Sequence, residues 1–585
     1  MKTKLLFTAI AFSIVSLTLG QSPFQKSVGS STFYYHDLNL STINDGLNEF
    51  ALAGNVIDAN FTNQLMALHR LDNLGNVVYA NTYLSTLASE VRVLDIVNVV
   101  DKLYATGYIL VTASGMRSVF IAEIQASNGA VLSANFYDII SPNFNSQGFK
   151  IVYTTSDADG DSVADPGFVV SGYLSSCMPL NVSCGLNIGF VMRTDILLNS
   201  MWTMELENNN TTAGTFDYDF INDITETPTG FFLTGSITGQ TTQGQDKQGV
   251  LAYKIDFQGL PLWDMSYIAG NSRDLSVDAY YDSATQNIFM LANYSAAHYF
   301  GVTVLSDVSG AVIGTPWIAT GNDLNRYGFQ ILESINDLNN LVITGYDRDE
   351  NWTDAGSNAQ SGMSNLFVHE FNKSTGAPVG AMKQYLVPHL EHSPDEFNFW
   401  TSQLPEIYYP DISMQYFQVP GAAPSYLHTG YRTDLSGDTH AELIATGVSL
   451  DNECINLDAP LTLSNPALTN IIATTGLVGT MDNILPLAAT ALPTVERDCM
   501  DTLLTINIPQ GQQIKMYPNP TSESVFFIGV QGQSYRIKNI AGSEVLKGSF
   551  SAENSILLNN LTAGLYFIEF TGIDSVISVF KVIKE

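Results

Sequence analysis

Charged residues are scarce in this chain, and basic residues are the scarcest. Only 14% of its 585 residues are charged, and 24 Lys and Arg stand against 57 Asp and Glu, for a formal net charge of −33. Six basic and six acidic residues lie between Gly511 and Glu585, so the acidic excess precedes that segment. Because such a surface repels phosphate backbones, the composition argues against nucleic-acid binding.

Long apolar runs and recognisable catalytic motifs are also missing. Beyond Gly20, no segment has the roughly 20 uninterrupted apolar residues of a membrane-spanning helix. The sequence contains no Gly-x-Ser-x-Gly elbow, no phosphate-binding loop and no dinucleotide fingerprint. Catalytic carboxylates contributed by separate parts of the fold stay open, because spacing along the sequence does not report on them.

The N-terminal residues have the pattern of a secretory signal peptide. Lys2 and Lys4 precede an apolar run that extends from Leu5 to about Leu19. We expect cleavage before Gln21, so that residues 1–20 are removed. The mature protein is then expected outside the cytoplasm, secreted or at the cell surface after passing the periplasm.

Cysteine is rare, with four residues in the whole chain and no spacing typical of a zinc site. An even number in an exported protein favours disulfides. Among the possible connectivities we favour the two pairs that are closest in sequence, Cys177–Cys184 and Cys454–Cys499.

Repetition is what the chain has in abundance. A strand that ends near glycine recurs, as in GFVVSG at Gly172 and GFFLTG at Gly235, and two strands around a polar turn follow it each time. Each copy supplies about four strands over roughly 50–65 residues, and one such sheet cannot bury both of its faces. We therefore predict an all-β fold, an approximately seven-bladed β-propeller over residues 21–460, with separate β-sandwich domains as the alternative.

The repeats resemble the loosely defined propeller repeats of exported Bacteroidetes proteins. One turn loosely resembles a sialidase Asp-box, through Asp256, Gly259 and Trp263. The turn at Gly376 resembles that of a quinoprotein blade, but the Trp that follows the turn in those blades is missing here. In these families the motif is an architectural turn, so the resemblance implies no catalytic role. After the repeats the periodicity fades, and residues 461–509 are expected to form a linker or an edge segment.

The C-terminal residues 510–585 predict a small antiparallel β-sandwich, because short alternating strands are separated by Gly and Asn turns. Within it stand the residues Pro518, Asn519, Pro520, Gly542, Gly564, Tyr566, Lys581 and Lys584. With these residues, this part is similar over its full length to the type A sorting domain of the Bacteroidetes type IX secretion system. The resemblance implies recognition by the secretion machinery at the outer membrane, followed by release or surface attachment.

One acidic loop is the best candidate for a metal site. Its carboxylates stand at the first, third, fifth and ninth positions from Asp157, and Gly160 permits a tight turn. The loop resembles the calcium loops of thrombospondin type 3 repeats, although Ser162 stands where glycine is usual. We expect calcium, in a stabilising role, with a solvated acidic loop as the alternative. The predicted ligands are Asp157, Asp159, Asp161 and Asp165.

Together these observations predict an exported propeller that binds a glycan or a protein and does not catalyse a reaction. The alternative is a secreted hydrolase or lyase that acts on polysaccharide, with carboxylates gathered at the propeller mouth. Most aromatic side chains are expected to pack between blades. Those in loops are the candidates for ligand contact: Trp352, Trp400, Tyr408 and Tyr409.

Overall fold

Strands are the only regular elements in the described part of the chain, which confirms the all-β prediction. Stretches rich in Val, Ile, Phe, Tyr and Thr form them, as expected for side chains that pack well on a pleated surface. The chain divides into two compact units, Met1–Cys499 and Met500–Glu585. The computed structural model describes residues 24–29, 33–43, 49–58, 64–139, 144–175, 187–207, 219–240, 246–268, 274–294, 299–320, 324–349, 364–385, 413–417, 425–433, 439–446, 450, 456–459, 462–464, 469–470, 474–492, 495–498, 515–517, 521, 524–528, 534–539, 543–549, 555–571 and 577–584.

The first unit repeats one module of four antiparallel strands, here numbered in chain order. Modules 1 to 3 are β2 (Phe33–Ile43), β3 (Glu49–Asp58), β4 (Gln64–Leu71) and β5 (Val77–Ser85); β6 (Ala88–Val99), β7 (Lys102–Val111), β8 (Met116–Gln125) and β9 (Val131–Ile139); β10 (Asn145–Thr154), β11 (Gly167–Ser175), β12 (Asn187–Asp195) and β13 (Ser200–Glu207). Modules 1 and 2 are joined in addition by one parallel pair, Gln64 and Glu90.

The fourth strand of module 4 is broken in two, and module 7 takes its fourth strand from the N-terminus. Modules 4 to 6 are β14 (Phe220–Thr227), β15 (Gly230–Gln240), β16 (Asp246–Ile255), β17 (Pro261–Asp264) and β18 (Tyr267–Ile268); β19 (Asp274–Asp282), β20 (Asn287–Tyr294), β21 (Tyr299–Ser306) and β22 (Trp317–Thr320); β23 (Leu324–Glu333), β24 (Asn340–Asp349), β25 (Ser364–Asn372) and β26 (Pro378–Tyr385). Module 7 is β27 (Ser413–Phe417), β28 (Ser425–Thr433), β29 (Thr439–Thr446) and β1 (Phe24–Gly29).

The first strands of the modules contact one another in a closed order. Each lies against the first strand of the next module, and β27 of module 7 lies against β2 of module 1. Apolar clusters lie between neighbouring modules: Leu68 of module 1 shares one with Phe120 of module 2, and Val169 of module 3 shares another with Leu233 of module 4. The modules therefore pack sheet against sheet around a common centre made of first strands.

In modules 2, 3 and 6 the glycine of the sequence repeat lies opposite a β-bulge. Between the first and second strands of these modules the pairing shifts by one residue. There a Cβ at Gly107, Gly172 or Gly345 would collide with a main-chain oxygen of the first strand. At these three positions the two backbones approach too closely for a side chain.

Aromatic side chains of the fourth strands contact the turn before the fourth strand of the next module. The Tyr83 hydroxyl donates a hydrogen bond to the carbonyl oxygen of Gly129 (2.9 Å), and Trp263 Nε1 donates to that of Asp307 (2.8 Å). The equivalent contacts are Tyr137 with Leu198, Trp202 with Gly259 and Trp317 with Gly376. The turn at Gly376, which lacks a following Trp in the sequence, thus receives one from the preceding module.

Residues 456–498, here called the belt, add one outer strand to every module. The belt visits modules 6, 5, 4, 3, 2 and 1 in that order and ends on module 7, where its last strand pairs with β1. Much of it falls within the segment expected to be a linker or an edge. Its strands are β30 (Asn456–Ala459), β31 (Thr462–Ser464), β32 (Thr469–Asn470), β33 (Thr474–Leu477), β34 (Thr480–Ile484), β35 (Leu487–Ala491) and β36 (Val495–Asp498).

The second unit contains a three-stranded and a four-stranded antiparallel sheet. Phe527 from the first sheet and Ile537 and Ile568 from the second belong to one buried cluster, so the two sheets share a core. The strands are β37 (Lys515–Tyr517), β38 (Ser524–Ile528), β39 (Ser534–Asn539), β40 (Glu544–Ser549), β41 (Ser555–Leu557), β42 (Gly564–Thr571) and β43 (Ile577–Lys584).

Candidate functional site

The acidic loop lies in module 3, between β10 and β11, and folds around its own carboxylates. The Asp157 carboxylate accepts hydrogen bonds from the N–H groups of Gly160 (2.7 Å) and Ser162 (2.7 Å). Asp165 Oδ2 accepts one from the N–H of Ala158 (2.9 Å). Ser162 has a φ of 69°, in the left-handed region that favours the glycine usual at this position of calcium loops.

Three of the four predicted ligands come together in this loop. Single carboxylate oxygens of Asp157, Asp159 and Asp165 all lie within 4.8 Å of one another. Since Ca²⁺–oxygen distances are about 2.3–2.6 Å, oxygens at this separation can share one ion. Asp161 is outside the group, and its carboxylate accepts the N–H of Val163 (2.7 Å).

The hydrogen bonds of the loop favour the ionised form of Asp157. Burial on its own would raise the pKa of Asp157, but the N–H groups of Ser162, Gly160 and Asp159 outweigh it and lower that pKa below its usual value. The carboxylate is therefore ionised at neutral pH, as a cation ligand must be.

Side chains of two modules fix the loop in place. The buried guanidinium of Arg193, on β12, donates hydrogen bonds to the carbonyl oxygens of Ser156 (3.1 Å) and Asp165. Gln258 of module 4 donates from Nε2 to the carbonyl oxygen of Asp157 (2.7 Å). The loop thus bridges modules 3 and 4.

A second cluster of charged side chains lies at the common centre. Lys150 Nζ is 3.3 Å from Asp223 Oδ1 and 3.9 Å from Asp95 Oδ2, and Asp278 shares a hydrogen bond with Asp223. Each of these residues directly follows the bulge of its first strand, in modules 2 to 5. About a third (32%) of the Lys150 side chain is exposed, whereas the three aspartates are buried.

Burial and neighbouring charge set the protonation of this central cluster. Burial raises the pKa of Asp278 well above its usual value, and the adjacent Asp223 raises it further. Burial lowers the pKa of Lys150, but Asp95, Asp223 and Asp278 outweigh burial and raise it. The neighbouring carboxylates thus favour the protonated form of Lys150, and burial favours the protonated form of Asp278.

The central polar groups also bond to the main chain of the next module. Asp95 Oδ2 accepts the N–H of Ile151 (2.8 Å), and Asp278 Oδ2 accepts the N–H of Ile331 (2.8 Å). These carboxylates thus connect successive first strands. Equivalent contacts are those of Asn39 with the carbonyl oxygen of Leu94 and of Gln330 with the N–H of Met414.

The central cluster was not among the predicted sites, although the sequence contains a pattern that indicates its residues. A polar residue stands between two apolar ones at residues 94–96, 149–151 and 277–279, each time just after the bulge. The pattern becomes visible when the repeats are aligned on their glycines. The aligned repeats do not show which of these polar residues contact one another between modules.

Several predicted site residues lie outside the described residues. They are the cysteines Cys177, Cys184, Cys454 and Cys499, the aromatics Trp352, Trp400, Tyr408 and Tyr409, and Pro518, Asn519, Pro520 and Gly542 of the C-terminal unit.

The other four predicted residues of the C-terminal unit are described. Gly564 begins β42 and is in register with Lys584, which is buried. The Tyr566 hydroxyl donates a hydrogen bond to the carbonyl oxygen of Thr562 (2.9 Å). Lys581 is exposed and in register with a residue of β42. These residues hold the last two strands of the unit together.

Residues 515–585 match the family of the secretion system C-terminal sorting domain. The C-terminal unit is thus a sorting domain. The protein is a type IX secretion substrate, exported to the cell surface or secreted, and its sorting domain interacts with the secretion machinery. No curated protein matches the chain. Among the described residues, none form a helix long and apolar enough to cross a membrane.

Proposed function

We propose that the body of this exported protein is a seven-bladed β-propeller, with each module as one blade and the belt as a fifth strand. The closed order of first strands and the apolar clusters between modules support this reading. So do the aromatic contacts from the fourth strands of modules 1 to 5 to the next turn. A four-stranded sheet buries both faces in this way without forming a sandwich of its own.

We propose that the propeller binds a glycan or a protein and performs no chemistry on it. The observation that carries this proposal is the occupied centre. Glycoside hydrolases separate their two carboxyls by about 5–9.5 Å. Asp223 and Asp278 share a hydrogen bond and are therefore closer, and Lys150 holds Asp223 at 3.3 Å. Ligand contact is assigned instead to the aromatic residues that the sequence predicts in loops, Trp352, Trp400, Tyr408 and Tyr409.

A polysaccharide hydrolase or lyase is the second candidate. It is favoured by the adjacent carboxyls of Asp223 and Asp278 beside the partly exposed Lys150, because a carboxyl whose pKa is raised, as that of Asp278 is, can serve as a general acid.

Glycan-array binding and reducing-sugar release, measured on the same purified protein, separate the two candidates. We expect binding that Trp400→Ala or Tyr408→Ala weakens and no sugar release above a buffer control. Release that disappears in Asp223→Asn would establish the enzyme instead.

We propose that the acidic loop binds calcium through Asp157, Asp159 and Asp165, with Asp161 completing the set once the ion is present. A ligand at a hundred times its Kd stabilises a folded protein by about 2.7 kcal/mol. Excess chelator should therefore lower the thermal transition of the wild type. It should have no effect on Asp157→Asn, the matched control. An identical wild-type transition with and without chelator would exclude the metal.

The sorting and processing assignments have direct tests. Deletion from Gly511 onward should leave a folded body that stays in the periplasm, and its efficient appearance outside the cell would contradict the need for the sorting domain. We propose in addition that residues 1–20 are removed and that the disulfides are Cys177–Cys184 and Cys454–Cys499. Mass spectrometry of the exported protein, before and after reduction, checks both.

A further inference from the structure

The belt places an apolar side chain in three of the gaps between modules. Leu485 belongs to the buried cluster that modules 1 and 2 share, and Leu492 belongs to the cluster that modules 7 and 1 share. Val478 packs against the cluster of modules 2 and 3. The outer ends of these three gaps are therefore closed by one belt residue each.

These three residues are spaced evenly. Positions 478, 485 and 492 are seven residues apart, and each N–H donates a hydrogen bond to a module: to Thr203 (2.9 Å), Ala134 (2.8 Å) and Ala80 (2.8 Å), in that order. Seven extended residues span about 23 Å, enough to cross from one sheet edge to the next. One seven-residue step of the belt thus corresponds to one module.

Charge contributes little to this contact. Asp482 is the one charged residue between positions 474 and 492, in a protein with a net charge of −33. Its carboxylate accepts hydrogen bonds from the N–H (2.8 Å) and hydroxyl (2.7 Å) of Ser200. The Thr480 and Thr203 hydroxyls bond to each other (2.6 Å). Main-chain pairing, short polar contacts and apolar side chains therefore attach the belt.

The belt ends where the chain closes the ring. Its last strand, β36, pairs with β1, and β1 pairs on its other side with β29. The N-terminal strand thus lies between two C-terminal strands. Leu492 fills the adjacent gap between modules 7 and 1.

We propose that the outer edges of modules 1, 2, 3 and 7 form a peptide-binding site, and that residues 474–498 of this chain occupy it as a separable ligand that closes the ring. The site takes an extended segment with an apolar residue at every seventh position, at 478, 485 and 492. Next to one of these positions, Ile484 is 81% exposed, whereas Leu485 is 3% exposed.

Cleavage of the intact protein ahead of the belt tests the proposal. A site-specific protease sequence is inserted between Asn452 and Glu453 of the full chain, and the folded protein is cut and passed over a sizing column. We expect the fragment from Glu453 onward to elute with the body and to separate in denaturant. Separation in native buffer directly after cutting would overturn the proposal.

Adjacent substitutions test the proposed gaps. In the cut protein, Leu485→Asp should release the fragment at least ten times faster than the parent, and Ile484→Asp should release it at the parental rate. Equal rates for the two variants would contradict the assignment of Leu485 to the binding site.

A peptide of residues 474–498 provides a measurement that does not depend on the folding of a variant. Labelled peptide should displace the fragment from the cut parent protein, and the same peptide with Leu485 and Leu492 changed to Asp should fail to do so. Equal displacement by both peptides, or by neither, would sink the proposal.

Discussion

At the centre of the body, neighbouring modules meet through Lys150 and buried aspartates; at the outer edge, they meet the belt through main-chain hydrogen bonds and apolar side chains. The central groups are charged and few. Between residues 474 and 492 the belt carries one charged residue, and its main-chain and apolar contacts repeat around the edge. One ring is thus held by two sets of contacts that should respond to different substitutions and conditions.

Removal of the central lysine should have the largest effect. Lys150→Met leaves the carboxylates of Asp95 and Asp223 without their counter-charge, which should cost about 3 kcal/mol of unfolding free energy. Urea denaturation measures it. The matched control is Lys102→Met, whose ion pair with Glu123 is 40% exposed on the lysine side and should cost under about 1 kcal/mol. If both substitutions cost the same, the centre has no special role.

Truncation of a belt side chain should have a smaller effect. Leu492→Ala leaves a cavity in the gap between modules 7 and 1, and should cost about 2 kcal/mol, at the low end for a buried leucine. Met481→Ala, at a 59% exposed belt position, should stay within about 0.5 kcal/mol of the parent. When the same denaturation series is repeated in high salt, the loss of unfolding free energy in Leu492→Ala should be unchanged.

Acid should act through a buried histidine and leave the belt contacts intact. Burial lowers the pKa of His428 from its ordinary 6.5 to about 3, and its ring lies 5.9 Å from that of Tyr385 in module 6 and 6.2 Å from that of Tyr426 in module 7. The unfolded chain takes up this proton as the pH falls through 6.5, whereas the folded chain does not. The contribution of the uncharged His428 to the free energy of unfolding is therefore fully present above pH 6.5, and it is lost as the pH falls from 6.5 to 3.

Between pH 7 and 5.5, His428 should lower the free energy of unfolding by about 1 kcal/mol. We expect His428→Leu to lose about that much less stability over the same interval, as measured by denaturation at the two pH values. If the variant keeps the pH dependence of the parent protein, His428 does not contribute to the loss of stability in acid.

The repeat could be read from the sequence because its signals are local. Gly107 and Gly172 mark the repeat because a Cβ at either position would collide with the first strand. The belt could not be read in the same way. Its strands are as short as Thr469–Asn470, and their partners lie hundreds of residues away, as with Thr82 and Thr490.

The metal loop and the central cluster show the same division. The local spacing predicted that the carboxylates of Asp157, Asp159, Asp161 and Asp165 converge, and all of these except Asp161 lie together. Lys150 and Asp223 lie on different modules, and their contact depends on how two sheets pack. Spacing along the chain carries no information about that packing.

By itself, the sequence determined the all-β character, the repeat and the sorting domain at residues 515–585. Each of these rests on patterns within a few tens of residues, where strand and turn preferences act. The tertiary structure alone decided which charges meet at the centre, which aromatic residue covers which turn, and how the belt crosses the modules. Those contacts join residues far apart in the chain, and they form only when the sheets pack against one another.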